Sequence, residues 1–241
     1  MLLIKNLTKH YSGSNKGVTD ISIHVEPGDI YAFVGHNGAG KTTTLKCITG
    51  IHDFEEGEIW VDGVDVKKAP MECKHKFAYI PDNPDLYEYL TGIQYLNFIA
   101  DIFSVATGER EELIKKYANE FEITASLGDL ISSYSHGMKQ KLALISALIH
   151  KPKLLILDEP FVGLDPKAAV VLKQSMGEIC KEGGAIFFST HVLDVAEKLC
   201  NKVAIIKDGR MITSGKMSEL VKDGESLEDV FMEVLGHVEA N

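Results

Sequence analysis

The feature that most constrains this chain is a short glycine-rich segment that follows the apolar run Ile30–Val34 and leads into a stretch of helical character. That order predicts a strand, a phosphate-binding loop and the start of a helix. The segment consists of Gly35, His36, Asn37, Gly38, Ala39, Gly40, Lys41, Thr42 and Thr43. A flexible glycine turn without a ligand is the alternative, and the strand and helix around the segment favour phosphate binding.

The residue types of this loop suit a nucleoside triphosphate. Glycine lets the backbone turn its N–H groups towards a polyphosphate, and the dipole of the following helix adds positive potential at the same place. Lys41 is placed to reach the terminal phosphates, and the hydroxyl of Thr42 to ligate Mg²⁺. The segment therefore predicts that the chain binds a nucleoside triphosphate together with a metal ion.

Charge and cysteine usage narrow the class of partner. The formal net charge of −10 opposes broad attraction to nucleic acid or to an anionic membrane surface. The 4 cysteines are scattered, without a CxxC pair or a His/Cys spacing that suits zinc, so we expect free thiols and no structural metal. No segment approaches the roughly 20 apolar residues that span a bilayer. We therefore expect a soluble chain that acts on small ligands and protein partners.

A second apolar run ends abruptly in two acids. Residues 153–157 precede Asp158 and Glu159, as expected of a buried parallel strand that delivers carboxylates to its C-terminal end. Ligands of open α/β sheets bind at that edge. Asp158 is then placed to hold Mg²⁺, and Glu159 to polarise the water that attacks the γ-phosphate. A strand that merely stops at exposed acids is the alternative, and the phosphate loop upstream favours the catalytic interpretation.

A third apolar run, Ala185–Phe188, leads to Ser189, Thr190 and His191. It places an imidazole at the end of another strand, where His191 can donate a hydrogen bond to the γ-phosphate or position water. A lone histidine is usually structural or merely exposed, so this role depends on its neighbours.

Together these elements resemble one family over nearly the whole chain, the nucleotide-binding subunits of ATP-binding cassette (ABC) transporters. Lys41 and Thr42 match the Walker A motif of that family. Asp158 and Glu159 match its Walker B motif and catalytic glutamate, and His191 matches its switch histidine. The resemblance implies ATP and Mg²⁺ as ligands and ATP hydrolysis as the reaction.

The resemblance also implies an α/β fold. The family has a P-loop ATPase core with a mostly parallel sheet, an N-terminal antiparallel β subdomain and an inserted α-helical subdomain. Gly163, Leu164 and Asp165 resemble its D-loop, and Tyr11 lies where the family stacks an aromatic ring on adenine. Tyr11 alone would be an ordinary aromatic residue at the end of a strand.

The segment Tyr134–Gln140 resembles the signature motif that separates this family from other phosphate-loop enzymes. His136 and Met138 depart from its usual Leu-Ser-Gly-Gly-Gln wording, whereas Ser135 and Gly137 are retained. They supply a hydroxyl and a backbone N–H at a helix N-terminus, both suited to an anion. An ordinary Ser-capped helix is the alternative, and the position shortly before the Walker B strand favours the signature interpretation.

In the family the signature completes the nucleotide site of the opposite subunit. The resemblance therefore implies a second ABC subunit, identical or different, as a partner, with two ATP molecules held between the two chains. A further departure concerns the Q-loop glutamine, whose matching position is held by Asp82. Aspartate can ligate Mg²⁺ or accept a hydrogen bond from water, but it is shorter and charged. The metal role is retained here, and the coupling role towards a membrane subunit is in doubt.

We expect one ABC ATPase domain over residues 1–241, with the helical subdomain inserted at about 86–150 and a short C-terminal helix at 226–235. Most apolar side chains early in the insertion are expected to form its core. These residues are Tyr87, Tyr89, Leu90, Tyr95, Phe98, Ile102 and Phe103. Tyr87, Tyr89 and Leu90 follow the Asp82 loop, where membrane subunits dock in relatives, so they are also candidate partner contacts.

The leading hypothesis is an ATPase subunit that dimerises on ATP and drives a separate integral membrane permease. The resemblance implies a cytoplasmic location, peripheral on the inner face of the cell membrane through that permease. The wording of the signature and of Leu227–Phe231 resembles compact ATPase subunits of bacterial exporters. A soluble ABC ATPase of an assembly pathway, such as iron–sulfur cluster assembly, is the alternative. A small-molecule phosphate-loop kinase is disfavoured by the signature and by His191.

Overall fold

Two β-sheets form the centre of the fold in the computed structural model, which describes residues 1–13, 16–222 and 224–239, with 235–239 as backbone alone. The strands in chain order are β1 (Leu2–His10), β2 (Gly17–Val25), β3 (Ile30–Val34), β4 (Glu56–Val61), β5 (Val64–Asp65), β6 (Phe77–Ile80), β7 (Leu154–Asp158), β8 (Ala185–Thr190), β9 (Lys202–Lys207) and β10 (Arg210–Lys216). One sheet has the order β2-β1-β4-β5 and the other the order β10-β9-β3-β8-β7-β6.

The pairing within the two sheets confirms the predicted α/β class. The four-stranded sheet is antiparallel throughout. The six-stranded sheet is parallel from β9 to β6, and only its edge strand β10 runs antiparallel. The N-terminal antiparallel subdomain and the mostly parallel core that the family resemblance implies are both present.

The helices pack on both faces of the six-stranded sheet and beyond its edges. In chain order they are α1 (Lys41–Ile48), α2 (Pro70–Lys74), α3 (Gly92–Ile102), α4 (Thr107–Glu120), α5 (His136–Leu148), α6 (Pro166–Lys181), α7 (Leu193–Leu199), α8 (Met217–Leu220) and α9 (Leu227–Glu239). Among the described residues, no helix is long and apolar enough to cross a lipid bilayer.

The continuous apolar runs of the sequence are strands buried on both sides. In β7, Leu155 and Leu157 belong to the core beneath α5 and α6, whereas Leu154 and Ile156 belong to the core shared with α1 and the antiparallel sheet. Successive side chains of a strand point to opposite faces, so a strand covered on both faces needs an apolar residue at every position. The same alternation divides β3 and β8 between the two cores.

The helical insertion expected at about 86–150 is formed by α3, α4 and α5, between strands β6 and β7. A capping box begins α3, in which Thr91 Oγ1 accepts from Gln94 N–H and Gln94 Oε1 accepts from Thr91 N–H. The helical spacing of Met138, Leu142, Ile145 and Ile149 predicts one apolar face for α5. Leu142, Ile145 and the C-cap residue Ile149 are buried, and Met138 is partly buried.

The expectation that most of the apolar side chains early in the insertion form its core is wrong. Tyr95 is buried, but Tyr87, Tyr89, Phe98 and Ile102 are each more than 40 % exposed, at 46, 74, 42 and 48 %. The helix α3 is apolar on two faces, and only the face with Tyr95 packs inward. Periodicity identifies an apolar face without saying whether anything covers it.

The C-terminal helix begins where the sequence predicts and runs further than the expected end at 235. Ser226 Oγ accepts from the N–H of Asp229 at 3.1 Å, and the Asp229 carboxylate accepts from the N–H of Ser226 at 2.9 Å. Leu227 and Val230 are buried, and Phe231 and Val234 pack partly on the same core. The sequence also predicts Leu235 on the apolar stripe of this helix, but its side chain lies outside the described residues.

A buried ion pair joins the β2–β3 turn to the start of β9. Asp29 is 5 % exposed and accepts from Glu26 N–H at 2.7 Å, from Asn201 Nδ2 at 2.8 Å and from Lys202 Nζ at 2.9 Å. Burial raises the pKa of the Asp29 carboxyl, but these hydrogen bonds outweigh it, so the pKa lies below its ordinary value. The ionised carboxylate therefore stabilises the folded chain.

We expect Asp29→Ala to lower the free energy of unfolding by about 3 kcal/mol at neutral pH, because two donors in partly buried hydrogen bonds lose their acceptor and Lys202 is left with the exposed Glu26 carboxylate. Since the pKa of Asp29 is lowered on folding, its contribution is complete above about pH 4 and is lost as the pH falls through the lowered pKa. Urea denaturation at several pH values measures both effects.

The matched control is Asp194→Ala, which removes a surface partner of Lys198 in an exposed pair. Exposed pairs contribute little, so we expect a much smaller change than for Asp29→Ala. Equal effects of the two substitutions would contradict the structural role of Asp29.

Candidate functional site

The phosphate loop connects the C-terminal end of β3 to the N-terminus of α1, where the backbone comes close to its surroundings. A Cβ on Gly35 would lie 2.4 Å from the carbonyl oxygen of Ile206. Gly40 is the N-cap of α1, has a φ of +110° and makes no side-chain cap. A Cβ there would lie 2.5 Å from Val18. The first turn of α1 therefore begins at a glycine and leaves its N–H groups to a ligand.

Lys41, the first residue of α1, is held by the loop itself. Its side chain is 7 % exposed, and Nζ lies 3.3 Å from Glu159 Oε1. The ammonium also donates to the carbonyl oxygens of Gly35 at 2.6 Å and of His36 at 3.2 Å. A positive charge is thus fixed between the loop and the acids that follow β7.

Thr42, Asp158 and Ser189 form a buried cluster across three neighbouring elements. The hydroxyl of Thr42 donates to Asp158 Oδ2 at 2.7 Å, and Ser189 Oγ donates to Asp158 Oδ1. Burial raises the pKa of Asp158, the carboxylates of Asp82 and Glu159 raise it further, and the hydroxyls of Ser189 and Thr42 oppose the rise. The cluster offers hydroxyl and carboxylate oxygens, the ligands that Mg²⁺ prefers.

Glu159 has a strained backbone and an incompletely bonded carboxylate. Its φ is +48°, in the left-handed region that a non-glycine residue rarely adopts. Oε1 lies 3.0 Å from His191 Nδ1, yet it has no hydrogen bond of good geometry among the described residues. Oε2 accepts from the N–H of His191 at 3.3 Å. A buried acceptor without a donor fits a water molecule that it would orient.

These groups open into a cleft of about 240 Å³. The lining residues are Tyr11, Lys16, Gly17, Asn37, Gly38, Gly40, Lys41, Thr42, Thr43, Asp82 and Glu159. The Tyr11 ring is 36 % exposed and packs edge-on against His52 with 5.6 Å between ring centroids. Its hydroxyl lies 3.2 Å from Thr43 Oγ1. Tyr11 is therefore held at the rim with part of its ring open to a ligand.

The structure brings most of the predicted site residues together. The remaining loop residues Gly35, His36 and Ala39 form the back of the loop, and Asp158 joins the site through Thr42. Ser135 and Gly137 lie elsewhere and do not line the cleft among the described residues. Ser135 is the N-cap of α5 and accepts from Met138 N–H at 3.3 Å.

Ser189 has no predicted role in the sequence, yet in the structure it links Asp158 and Glu159. Besides its bond to Asp158, its hydroxyl accepts from the N–H of Glu159 at 3.1 Å. Its position two residues before His191 at a strand end was the available signal. Lys16 and Gly17 also line the cleft, but they belong to none of the sequence motifs described above.

Comparison with known proteins decides the family. The sequence profile described as ABC transporter matches residues 18–162. The ABC-type transporter ATP-binding protein EcsA of Bacillus subtilis (strain 168) is 35% identical over 239 residues, which is 97% of this chain and 96% of the relative. The chain belongs to the ABC transporter family. As a member of this family it is an ATP-binding protein and an ATPase, as its motifs predict.

Solved structures agree with that assignment. One described as the structure of an ATP binding subunit of ABC transporter superposes with a TM-score of 0.93 at 34% identity and covers 98% of this chain and 99% of its own. The ATP-binding cassette MJ0796, solved as a dimer in a post-hydrolysis state bound to ADP and Pi, superposes with a TM-score of 0.82 at 20% identity. It covers 90% of this chain and 99% of its own and shares the fold.

Proposed function

We propose that this chain is one ATPase domain that binds Mg²⁺–ATP in the cleft, pairs with a second cassette and drives a separate membrane permease for export. The observation that carries the proposal is the convergence of Lys41, the Thr42–Asp158 pair and the Glu159–His191 pair on one cleft. Lys41 supplies a cation for the phosphates, the Thr42–Asp158 pair supplies oxygen ligands for a metal, and Glu159 supplies an acceptor for water. Phosphoryl transfer to water requires these three groups.

The loop and Lys41 bind the triphosphate. The N–H groups at the start of α1 and the buried ammonium of Lys41 supply positive potential at the end of the cleft where the phosphates would lie. The exposed part of the Tyr11 ring is positioned to stack on adenine. Both charge and stacking surface are fixed before the ligand arrives, which reduces the entropy lost on binding.

Thr42 and Asp158 would hold Mg²⁺, and Asp82 at the edge of the same cleft would hold it directly or through water. When bound, the ion neutralises charge on the phosphate oxygens in the transition state. Ser189 keeps the Asp158 carboxylate in place from the side away from the cleft. The hard oxygen donors of this set fit the ion.

Glu159 orients the water that attacks the γ-phosphate. Its Oε1 accepts a hydrogen bond from that water, while the His191 N–H bonded to Oε2 and the nearby imidazole restrict the rotation of the carboxylate. Lys41 remains close enough to stabilise the charge that develops on the terminal phosphate. Alignment and electrostatic stabilisation together supply most of the rate enhancement in such reactions.

The signature residues act on the nucleotide of a second copy. Ser135 and Gly137 lie at the N-terminus of α5, whose N–H groups and hydroxyl suit an anion, yet they lie outside the cleft of their own chain. A second cassette, placed head to tail, would bring them to the phosphates. The dimeric state of the fold relative MJ0796 supports this arrangement.

The exposed aromatic side chains beside the Asp82 loop are proposed to contact the permease. Tyr87 packs against Tyr89 and Phe98 with 5.9 and 5.6 Å between ring centroids. Together with the half-buried Leu90 they form a ridge of apolar surface, here called the aromatic ridge. Exposed apolar patches of this kind mark protein interfaces. Through such a contact the chain would lie peripherally on the cytoplasmic face of the membrane.

Glu159→Gln tests the hydrolytic role. The amide keeps the shape of the carboxylate but binds the attacking water less well, so we expect turnover to fall at least about 100-fold while ATP binding persists. ATP-bound dimers should then accumulate. Steady-state ATPase assays and light scattering with and without Mg²⁺–ATP measure the two effects. Glu111→Gln, an exposed change on α4, is the control, and near wild-type turnover in Glu159→Gln would refute the assignment.

Ser135→Asp tests the pairing of two cassettes. Aspartate caps a helix as well as serine does, but it adds a negative charge where the phosphates of the second site would lie. We expect ATP-driven dimerisation and turnover to be lost, with ATP affinity of the monomer unchanged within about twofold. Ser135→Asn, an uncharged cap of the same size, should dimerise far better. If both variants dimerise like wild type, α5 does not face a phosphate.

Tyr87→Ser combined with Tyr89→Ser tests the permease contact. We expect loss of a membrane protein that co-purifies in detergent, and ATPase activity of the isolated chain within about twofold of wild type, because the aromatic ridge is not part of the cleft. Met232→Ser, another exposed apolar position at 63 % exposure, is the control. A partner that co-purifies as a soluble scaffold without detergent would instead favour an assembly ATPase.

A further inference from the structure

Gln140 is an amide inside the protein whose hydrogen bonding is incomplete. It is 2 % exposed and lies in α5 among apolar side chains such as Leu142 and Leu144. Its nitrogen donates a long hydrogen bond of 3.4 Å to the carbonyl oxygen of Pro160, and its Oε1 has no partner among the described residues. A buried amide is unfavourable unless its polar atoms are bonded, so this one calls for an explanation.

The carbonyl that Gln140 contacts belongs to the residue after Glu159. The φ of Glu159, +48°, is maintained only if the surroundings hold the backbone there. On the N-terminal side, the carbonyl oxygen and the hydroxyl of Ser189 accept from Glu159 N–H at 3.2 and 3.1 Å. On the C-terminal side, Pro160 has no N–H to donate, and its carbonyl accepts from Gln140. Ser189 thus holds the peptide unit before Glu159, and the N–H of Val162 donates to the Glu159 carbonyl at 3.1 Å. Gln140 holds the next peptide unit, which begins at the Pro160 carbonyl.

The same side chain lies against the loop that follows Glu159. A Cβ on Gly163 would lie 3.1 Å from Gln140 Oε1 and 3.2 Å from the His136 ring, so the loop and the start of α5 are in close contact. A little further along, Lys141 Nζ lies 2.6 Å from Asp165 Oδ2. The N-terminal half of α5 and this loop are therefore joined by contacts along their length and will tend to move together.

We propose that Gln140 is a positioning residue that connects Ser135 to Glu159 of the same protomer. The inference rests on the proposed function, since it takes Ser135 to meet the nucleotide of a second copy. Ser135 and Gln140 both lie within the first two turns of α5, so a shift of that helix end moves the amide and, through Pro160, the backbone beside Glu159. ATP bound in the site of the second copy thereby determines the position of the Glu159 carboxylate in this protomer.

The incomplete bonding of Gln140 agrees with this role. The carbonyl of Pro160 can only accept, which fixes the amide nitrogen towards it and the oxygen towards Gly163. A long bond on one side and an unpaired oxygen on the other leave room for tighter bonding when α5 and the loop approach each other. A purely structural amide would be expected to have its bonds complete in the isolated chain.

Gln140→Met tests the proposal, because methionine has nearly the same shape without an amide. We expect Q140M to keep KM for ATP within about twofold and to keep its ATP-driven dimer, and to lower kcat about tenfold, since a displaced carboxylate no longer aligns the water. In the E159Q background the residual single-turnover rate should fall no further than about twofold, because Gln140 acts through Glu159. Gln174→Met, the same change at an exposed position of α6, is the control.

An unchanged kcat in Q140M, or a tenfold loss that persists in the E159Q background, would overturn the proposal. Thermal unfolding identifies a variant that does not fold; Gln140→Leu, which removes both the donor and the acceptor, then takes the place of Q140M with the same expected split between kcat and KM. Failure of both variants to fold would also overturn it, because Gln140 would then be a structural requirement. If the proposed function itself fails, the wild-type chain does not form the ATP-driven dimer, whereas failure of this inference leaves wild-type dimerisation and turnover intact.

Discussion

The register between three parallel strands is the constraint on which the site depends. β7 pairs with β8 so that Asp158 lies opposite Ser189, and β8 pairs with β3 so that Thr190 lies opposite Val34, the last strand residue before the phosphate loop. Asp158, Glu159, His191 and the phosphate loop therefore lie close together at the C-terminal edge of the sheet. A shift of one residue would turn every side chain of a strand to the opposite face and separate the groups.

The buried charged side chains of the site are held by hydrogen bonds. The carboxylate of Asp158 accepts from two hydroxyls, and the ammonium of Lys41 donates to two carbonyl oxygens of its own loop. Glu159 differs, since it combines an unfavourable backbone conformation with a carboxylate oxygen that lies near Lys41 and His191 but has no hydrogen bond of good geometry among the described residues. Strain and unsatisfied bonding at one residue are expected where function requires a particular geometry.

The residues of the proposed two-cassette site lie in two parts of this chain. The sheet edge carries the groups that hold and orient a triphosphate, whereas Ser135 begins α5 in the helical insertion and lies outside the cleft. The contacts of α5 with the loop after β7 bridge these parts within one protomer. In the proposed paired assembly, these contacts would connect the two sites through packing and a few hydrogen bonds.

The sequence predicted the phosphate loop, the two acids and His191 because they sit at the ends of apolar runs, which identify strands buried on both faces; Tyr11 and Asp82 were predicted from the family resemblance alone. Ser189 and Gln140 escaped prediction because a hydroxyl or an amide acquires a role only from its neighbours in space. The prediction for the aromatic residues of the insertion was wrong for a related reason. Periodicity identifies the apolar face of a helix but does not show whether another element packs against it. The one-domain organisation and the permease contact stay predictions.

By itself, then, the sequence determined the order of strand, loop and helix, the chemistry at each strand end and the family. Only the tertiary structure decided that Thr42 meets Asp158, 116 positions away along the chain, that the signature serine lies apart from the cleft, and that Tyr87 and Tyr89 remain exposed. Local patterns arise from neighbours along the chain, whereas these contacts depend on how sheets and helices pack. The partner of a side chain is therefore known only once that packing is known.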